Sequence, residues 1–435
     1  MVVRRVLSPA AVLLLLAAAA LACGAPPATP SAAPARSPGT PSSAPTAAAL
    51  PSPVGDPVLG IDWGRADEVE RPEEAFALPS PGQSIPFSLG SNRSGHPLHF
   101  PGQAMMADVA VLPSGGLASV GYVYPGWHPT AWTSDDGRAW VLRPIADTEF
   151  TFPVAMAVGG DGGIVAVGRS GSAPLAWTSA DGTTWEPHRV ATLGDGSVAE
   201  RMTAVVAAPG GGFIAGGSVG PELFERHARF WRSADGVDWV PVPDDAAAFA
   251  EAEVRAIVRF GDGYVATGVT GSVQDITGSV AWTSPDGMTW TRVDDPALAA
   301  GRAVALVNAP FGGLVAVGSD RTEDEALAWV SADGRSWTLA AGEESRQYHG
   351  KIRMTDVTAV GDELIAVGNT VGLQRGVASA WVSRDGLHWQ KAPTAPIQQQ
   401  VELYAVVPAG PGVVSVGSFG APDDYIPTVL LSPAR

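Results

Sequence analysis

The sequence of 435 residues contains a single cysteine, Cys23, and no long helical pattern of apolar residues beyond its N-terminus. One cysteine excludes an internal disulfide framework and any zinc site built on cysteines. The seven histidines are scattered, without the His-Glu-x-x-His spacing of zinc proteases, and no glycine-rich segment opens a helix. We therefore predict no metal, no other cofactor and no phosphate-binding loop.

Positive charge is also scarce, because 27 lysines and arginines face 44 aspartates and glutamates, giving a net charge of −17. An acidic surface repels phosphate backbones, so no nucleic-acid partner is expected. The sequence is rich instead in glycine (52), proline (38) and tryptophan (14). This balance is typical of many short strands joined by tight turns and predicts an all-β fold.

Residues 1–22 have the layout of a signal peptide. Arg4 and Arg5 precede a short apolar run, residues 10–22, which is too brief for a typical membrane-spanning helix. The run leads into Leu-Ala-Cys-Gly around Cys23, which resembles a bacterial lipobox, although the leucine lies two residues before the cysteine and not three. We predict lipidation of Cys23; the alternative is an ordinary cleaved signal peptide with a chance cysteine.

Residues 23–54 are almost entirely alanine, proline, serine and threonine. Such a segment has too little apolar bulk to fold, and its prolines favour an extended spacer. At roughly 3 Å per residue it could span up to ~90 Å. Anchor, disordered tether and folded domain together predict an exported protein that is held on the outer face of the cell membrane by its lipid alone.

Six hairpin sequences repeat along the rest of the chain. Each holds two tryptophans eight residues apart around Ser-x-Asp-Gly, as in AWTSADGTTW from Ala176, and copies follow every 45 to 54 residues. That interval suits a four-stranded propeller blade, and the glycine suits a left-handed turn position. Centring each hairpin on its aspartate would set the two tryptophans opposite each other. Turn aspartates bond nearby backbone N–H groups, so six are predicted to be structural: Asp136, Asp181, Asp235, Asp286, Asp333 and Asp385.

A seventh unit begins at Leu403 and has no Asp-Gly turn and no fourth strand. Residues 60–63 match residues 236–239 of the third hairpin, so we predict that residues 58–66 supply the missing strand. Residues 55–435 are thus expected to form a seven-bladed β-propeller closed by an N-terminal clasp strand. Residues 67–102 would then be a long inter-blade insertion on the ligand face, either a binding element or a disordered belt.

The hairpins resemble Asp-box (BNR) repeats, whose pattern is Ser-x-Asp-x-Gly-x-Thr-Trp, with one residue fewer here between Asp and Gly. The likeness covers the chain from the clasp to the C-terminus. It implies a β-propeller lipoprotein that is distantly similar to sialidases, although the Arg-Ile-Pro motif of sialidases is missing and they have six blades. Enzymes and non-catalytic receptors share the repeat, so it does not decide the function.

Three arginines, Arg201, Arg302 and Arg353, align at the start of the innermost strands of blades 3, 5 and 6. They would surround one mouth of the central channel, where planar guanidinium groups suit a carboxylate or a phosphate. The alternative is that each pairs with a nearby acid such as Glu253 or Glu402. No catalytic residue is assigned.

These features predict a surface-displayed, non-catalytic binding or scaffold propeller, monomeric, with an unknown protein or glycan ligand. Two alternatives stay open. One is a sialidase-like glycoside hydrolase, and the other is an assembly factor for an envelope complex.

Overall fold

The computed structural model describes strands 67–70, 85–88 and 90–91, together with residues 103–124, 127–146, 150–192, 198–220, 226–243, 245–272, 275–340, 351–371, 376–392, 401–409, 412–419 and 426–432. The predictions on the signal peptide, Cys23 and the tether lie outside the described residues. The described part is almost entirely β-structure, apart from the short helix Ala246–Phe249 and a 3₁₀ turn at Leu298–Ala300.

Seven antiparallel sheets form the blades of a ring, as predicted. Each blade has strands A to D in order, with A innermost. The A strands are Gln103–Val111, Thr151–Val158, Glu200–Ala207, Ala252–Phe260, Gly301–Asn308, Lys351–Val360 and Val401–Ala409. The B strands are Leu117–Tyr124, Ile164–Ser170, Phe213–Val219, Gly263–Gly271, Leu314–Asp320, Glu363–Val371 and Gly412–Phe419.

The D strands are the shortest of the four in each blade, and the seventh blade takes its D strand from the N-terminal side. The C strands are His128–Ser134, Ala173–Ser179, His227–Ser233, Ile276–Ser284, Ala326–Ser331, Gly376–Ser383 and Ile426–Ser432. The D strands are Ala139–Pro144, Glu186–Arg189, Trp239–Pro241, Thr291–Val293, Thr338–Leu339, Gln390–Lys391 and Asp67–Glu70.

The clasp strand is confirmed, but its register differs from the prediction. Matching residues 60–63 to 236–239 would set Arg65 opposite Leu430, whereas Glu68 pairs with Leu430, three residues further along. No hairpin turn joins the clasp to strand C of blade 7, so no loop length fixes which residues pair. The predicted segment 58–66 itself lies outside the described residues.

The insertion 67–102 is not a single connection on the ligand face, and that prediction is wrong for its described strands. Asp67–Glu70 is the clasp, and Ile85–Ser88 pairs with strand D of blade 1 as a fifth strand. Gly90–Ser91 pairs with the clasp at the outer side of blade 7. The two blades that meet at the ring closure therefore both gain edge strands, which cover backbone groups that a bare edge would leave unpaired.

The hairpin register also differs from the prediction. Ser134, not Trp132, lies opposite Trp140, so the hairpin is centred on Gly137. The cause is local: the N–H of Gly137 donates to the Ser134 hydroxyl at 2.9 Å, and the next two N–H groups donate to the Asp136 carboxylate. Because side chains satisfy these N–H groups, Ser134 pairs with Trp140 and not with Arg138, so strand D joins the ladder two residues later than a three-residue loop would allow.

The core lies between blades. Seven apolar clusters occupy the seven interfaces of the ring, and the cluster between blades 7 and 1 completes the circle. The first tryptophan of every hairpin is fully buried in them: Trp132, Trp177, Trp231, Trp282, Trp329 and Trp381. Each blade thus packs mainly on its two neighbours, as in other repeat folds.

Candidate functional site

Every innermost strand carries a β-bulge at the same position. The bulged residues are Ala107, Val154, Thr203, Arg255, Val304, Thr355 and Tyr404. A bulge turns the extra residue's side chain away from the regular alternation. All seven residues line one central cavity of about 660 Å³. The bulges therefore decide which side chains face the channel.

A glycine in strand B makes room for each bulge. These glycines are Gly121, Gly168, Gly217, Gly268, Gly318, Gly368 and Gly417. A Cβ atom on any of them would collide with the carbonyl oxygen of the strand-A residue two before the bulge; for Gly318 this is the carbonyl of Arg302. Glycine within a strand often marks a bulge or a close backbone approach. It was the sequence signal that could have located the channel-facing positions.

The structure places Arg201, Arg302 and Arg353 at equivalent positions, each two residues before a bulge. Arg302 forms an ion pair with Glu323. Arg353 Nη1 lies 3.7 Å from Glu323 Oε2, and its Nη2 lies 3.5 Å from Glu402 Oε2. The structure thus brings Arg302 and Arg353 together around Glu323, while Arg201 stands two blades away from Arg302. Anion binding by the three arginines stays a prediction.

Sequence reasoning missed Arg255, the bulged residue of blade 4. Its Nη1 lies 3.0 Å from Glu253 Oε1, and Glu253 also forms an ion pair with Arg226 and accepts a hydrogen bond from Ser218 at 3.3 Å. Glu253 is almost fully buried, so its charge depends on these partners. Desolvation by the channel wall and the nearby charge of Arg353 lower the pKa of Arg255, although 41% of its side chain is accessible within the channel.

We call the charged groups of blades 3 to 7 that these ion pairs join the ionic sector. It consists of Arg226, Arg255, Arg302, Lys351, Arg353, Glu253, Glu323 and Glu402. Within this network five cations share three carboxylates, so the network holds more cations than carboxylates in a chain with a net charge of −17. The Nε atoms of Arg302 and Arg353 are buried and find no hydrogen-bond acceptor among the described residues.

Two carboxyl groups of the cavity wall were also missed. Asp108 and Asp356 each follow a bulged residue, in blades 1 and 6. Asp108 accepts backbone N–H groups from Val109 at 2.8 Å and from Met156 of blade 2 at 2.7 Å, and Asp356 accepts that of Val406 of blade 7 at 2.8 Å. Burial raises the pKa of both carboxyls to about 7, and at Asp356 the charge of Asp108 adds to the effect. Each carboxyl thus connects its own blade to the next one, and this structural role explains why an aspartate lies at both positions.

At blades 1 and 2 the channel mouth carries aromatic rings in place of ion pairs. The rings of Tyr122, Trp127 and Phe152 pack with centroids 5.2 to 5.6 Å apart. The Tyr122 hydroxyl donates to the sulfur of Met105 at 3.4 Å, and Phe150 is 55% exposed. We call these five residues the aromatic sector.

One backbone feature recurs in both sectors. Among the described residues, those other than glycine with positive φ are Trp127, Phe150, Glu251 and Glu323. The carbonyl oxygen of each accepts a backbone N–H from a neighbouring segment at 2.6 to 3.0 Å. Trp127 and Glu323 lie between strands B and C of blades 1 and 5 and accept matching N–H groups of the next blade, although the repeat aligns Trp127 with Asp324. Phe150 and Glu251 are equivalent, since each lies four residues before the bulge of strand A, in blades 2 and 4. The position before strand A therefore carries an aromatic ring in blade 2 and a carboxylate in blade 4.

The six turn aspartates lie at the opposite end of the ring from this mouth, since antiparallel blades put their A–B and C–D turns at one end. Asp136 Oδ1 accepts the N–H groups of Arg138 and Ala139 at 2.7 and 2.8 Å. The pKa of all six carboxyls is lowered, at Asp136 chiefly by the N–H of Ala139. These hydrogen bonds engage the carboxylates within their own turns. The resemblance to Asp-boxes stays an interpretation of the sequence.

In the part of the chain that the structure describes, no group of three or more His, Cys, Asp or Glu side chains is arranged to hold a metal ion. No helix among the described residues is long and apolar enough to cross a membrane.

Fold and site together define a seven-bladed β-propeller whose channel mouth is ionic on one side and aromatic on the other. No family of known proteins matches the sequence, and no curated protein matches it. Among solved structures the chain is similar to YCF48 bound to a D1 peptide, with 15% identity and a TM-score of 0.51, over 83% of this chain and 100% of that one.

Two weaker similarities were found. A protein of unknown function from Dyadobacter fermentans matches at 14% identity and a TM-score of 0.49, over 87% of this chain and all of that one. A Trypanosoma rangeli sialidase in complex with sialic acid matches at 12% identity and a TM-score of 0.44, over 85% of this chain and 59% of the sialidase. At such identities the likeness concerns the fold alone.

Proposed function

We propose that this protein is a non-catalytic binding propeller that holds an acidic segment of a protein partner at the mouth of its central channel. The observation that carries the proposal is the ionic sector, in which five cations share three carboxylates and three of the cations, Arg255, Arg302 and Arg353, line a cavity of about 660 Å³. Because the whole chain is strongly acidic, this local excess of positive charge directs an acidic ligand to one place.

The arrangement of the arginines suits a carboxylate. Arg302 and Arg353 retain buried Nε donors, and a guanidinium group offers a planar fork to two carboxylate oxygens. A ligand carboxylate would share these groups with Glu323 and Glu402, so binding is expected to be reversible and sensitive to salt. The cavity volume lies within the range of roughly 300–1,000 Å³ that ligand sites occupy. The peptide bound to YCF48 is a further reason to favour a peptide.

The glycoside hydrolase alternative has less support. Such enzymes commonly need two carboxyl groups free to act on the glycosidic bond. Asp108 and Asp356 are the aspartates of the cavity wall, and both accept hydrogen bonds from strand backbone. Their geometry suits blade-to-blade attachment, so binding is the better account of the site.

Peptide selection tests the proposed function. The immobilised full-length chain would select from a random octapeptide library at low and at high salt. We expect acidic peptides to be enriched at low salt and lost when Arg302 and Arg353 are both changed to Ala. Arg335→Ala, at an exposed arginine of the turn end, is the matched control and should select as the wild type does. Absence of acidic enrichment by the wild type, or unchanged selection by the double variant, would contradict the proposal.

Display at the cell surface belongs to the same proposal. Lipidation at Cys23 and the spacer 24–54 would hold the propeller outside the membrane, with its mouth open to partners. In a bacterial host, the full-length chain should fractionate with membranes and Cys23→Ser should not. Equal partition of the two proteins would argue for an ordinary cleaved signal peptide.

A further inference from the structure

The aromatic sector contains no charged side chain, yet two of its residues adopt a costly backbone conformation. Trp127 and Phe150 have φ values of 54° and 61°. A positive φ is uncommon for any residue other than glycine and is unfavourable for a bulky side chain. Phe150 is also 55% exposed, so packing in the core does not explain why phenylalanine is there.

Comparison of equivalent sites separates the backbone from the side chain. Glu251 occupies the place of Phe150 in blade 4, and Glu323 accepts the N–H that matches the donor to Trp127; both share the left-handed conformation. The hydrogen bonds therefore explain the backbone at all four sites. They do not explain an aromatic ring, since glycine or asparagine would adopt this conformation at lower cost. The ring of Trp127 packs on Tyr122 and Phe152, whereas the exposed ring of Phe150 needs a separate reason.

The surroundings of these rings favour an apolar ligand group. The hydroxyl of Tyr122 already donates to Met105, and the ring of Phe152 carries the guanidinium of Arg169 at 4.7 Å from its centroid. A sugar would need several donors and acceptors close to the rings, whereas an apolar side chain needs none. Met105 of the aromatic sector lines the same cavity as Arg302 and Arg353, so the two sectors adjoin one cavity.

We propose that the aromatic sector anchors an aromatic or aliphatic side chain of the same peptide whose carboxylate meets the ionic sector. The ligand is then an amphipathic peptide segment in which an acidic residue stands close to a large apolar one. This inference rests on the proposed function and adds the second half of its specificity. Exposed aromatic anchors of this kind commonly dominate the affinity of an interface.

The test compares Phe150→Asn with Glu251→Asn, a pair matched in backbone conformation. Asparagine suits a positive φ, and both side chains are exposed, so neither change should lower the melting temperature. The wild type should enrich peptides with a large apolar residue near the acidic one. Phe150→Asn should keep the acidic preference, lose the apolar one, and bind the best selected peptide roughly tenfold more weakly. Glu251→Asn should keep both preferences.

Each other outcome overturns the inference in a distinguishable way. If Phe150→Asn selects the same apolar peptides with unchanged affinity, the aromatic sector is not an anchor, while the proposed function stands. If the wild type enriches no acidic peptide, the proposed function fails and the inference fails with it. If a glycan array instead reveals a sugar that the wild type binds and Phe150→Asn does not, the sector stacks against carbohydrate and the peptide assignment is wrong.

Discussion

The two ends of the propeller are built by the same strands, but they differ in how closely the blades resemble one another. At the turn end, six hairpins repeat the same serine, aspartate and glycine with the same hydrogen bonds. At the mouth, the position before strand A carries Phe150 in blade 2 and Glu251 in blade 4. The repeat thus keeps the scaffold constant at one end while the other end varies its chemistry.

The difference shows how a repeat protein can keep one end of its scaffold constant and vary the side chains at the other. Turn aspartates hold their own loops, and the hairpin glycines pack on the preceding blade, so few substitutions are tolerated there. At the mouth, seven bulges present seven side chains to the channel without depending on what those side chains are. Rigid elements that carry variable side chains are a common basis of binding sites.

The largest effect is expected for Gly318→Ala, at the mouth end. The added methyl group would collide with the backbone carbonyl of Arg302, which cannot move without undoing the bulge. We expect a loss of at least about 3 kcal/mol in the free energy of unfolding. Gly171→Ala, at a mouth-end glycine with open space around it, is the control and should cost less. Equal melting temperatures for the two variants would show that the bulge does not need the glycine.

Gly236→Ala probes the turn end, and its loss in the free energy of unfolding should be the next largest. Its Cβ would lie 2.5 Å from Cγ2 of Val165 in the preceding blade, at a φ of 82°. Overpacking and the left-handed backbone together should cost about 2–3 kcal/mol, measured by denaturant unfolding. Gly211→Ala shares the positive φ but meets no atom within 4 Å, so it isolates the backbone contribution. A similar loss in both variants would mean that blade packing tolerates the methyl group.

Loss of protons from the channel carboxyls and from the turn carboxyls should change the free energy of unfolding in opposite directions. A carboxyl with a pKa of about 7 when folded and 3.8 when unfolded binds its extra proton only in the folded state, so stability falls as pH rises from about 4 to about 7. Changing Asp108 and Asp356 to Asn together should flatten this decline. The turn carboxyls have lowered pKa values, so their contribution to the free energy of unfolding is lost only as pH falls below 3.8.

Unfolding by denaturant across pH 3 to 8 measures both effects. Asp136→Asn is the control: it should alter only the acid side and leave the decline toward neutral pH unchanged. A double variant at the channel with the same slope as the wild type would show that other groups cause the decline. The quantity to compare is the slope of the free energy of unfolding against pH, and not the absolute stability of each variant.

The smallest effect is expected for Glu251→Asn. Relief of the left-handed conformation should raise the free energy of unfolding by about 0.5 kcal/mol, since asparagine tolerates positive φ better than glutamate. Glu186→Asn, at an exposed glutamate in a regular strand, should bring no gain. A loss of stability at Glu251 would mean that its carboxylate, and not its backbone, matters for the mouth.

Much of the fold followed from the repeat, and the errors have physical causes. The hairpin register was wrong by two residues because Ser134 and Asp136 side chains take N–H groups that a simple turn would leave to the strands. The clasp register was wrong by three residues because no turn ties Glu68 to Leu430. At the hairpin, hydrogen bonds to the turn side chains set the register. At the clasp, no turn limits which residues can pair. In neither place did the apolar pattern decide the pairing.

The candidate site was predictable only in part. Arg302 and Arg353 were identified from the sequence because they lie before the bulge, where side chains still alternate between the two faces of the strand as in the other repeats. Arg255 and Asp108 were missed because a bulge shifts the alternation by one residue, so sequence spacing no longer tells which face a side chain takes. The strand-B glycine would have revealed the shift.

The all-β class and the seven repeated units follow from the sequence alone, because they depend on local turn chemistry and on a period that repeats along the chain. The burial of the hairpin tryptophans and the meeting of charges depend instead on how the blades pack. Glu323 of blade 5 reaches Arg353 of blade 6, and the aromatic rings of blades 1 and 2 meet at the same mouth, because closing the ring sets residues from distant repeats around one channel.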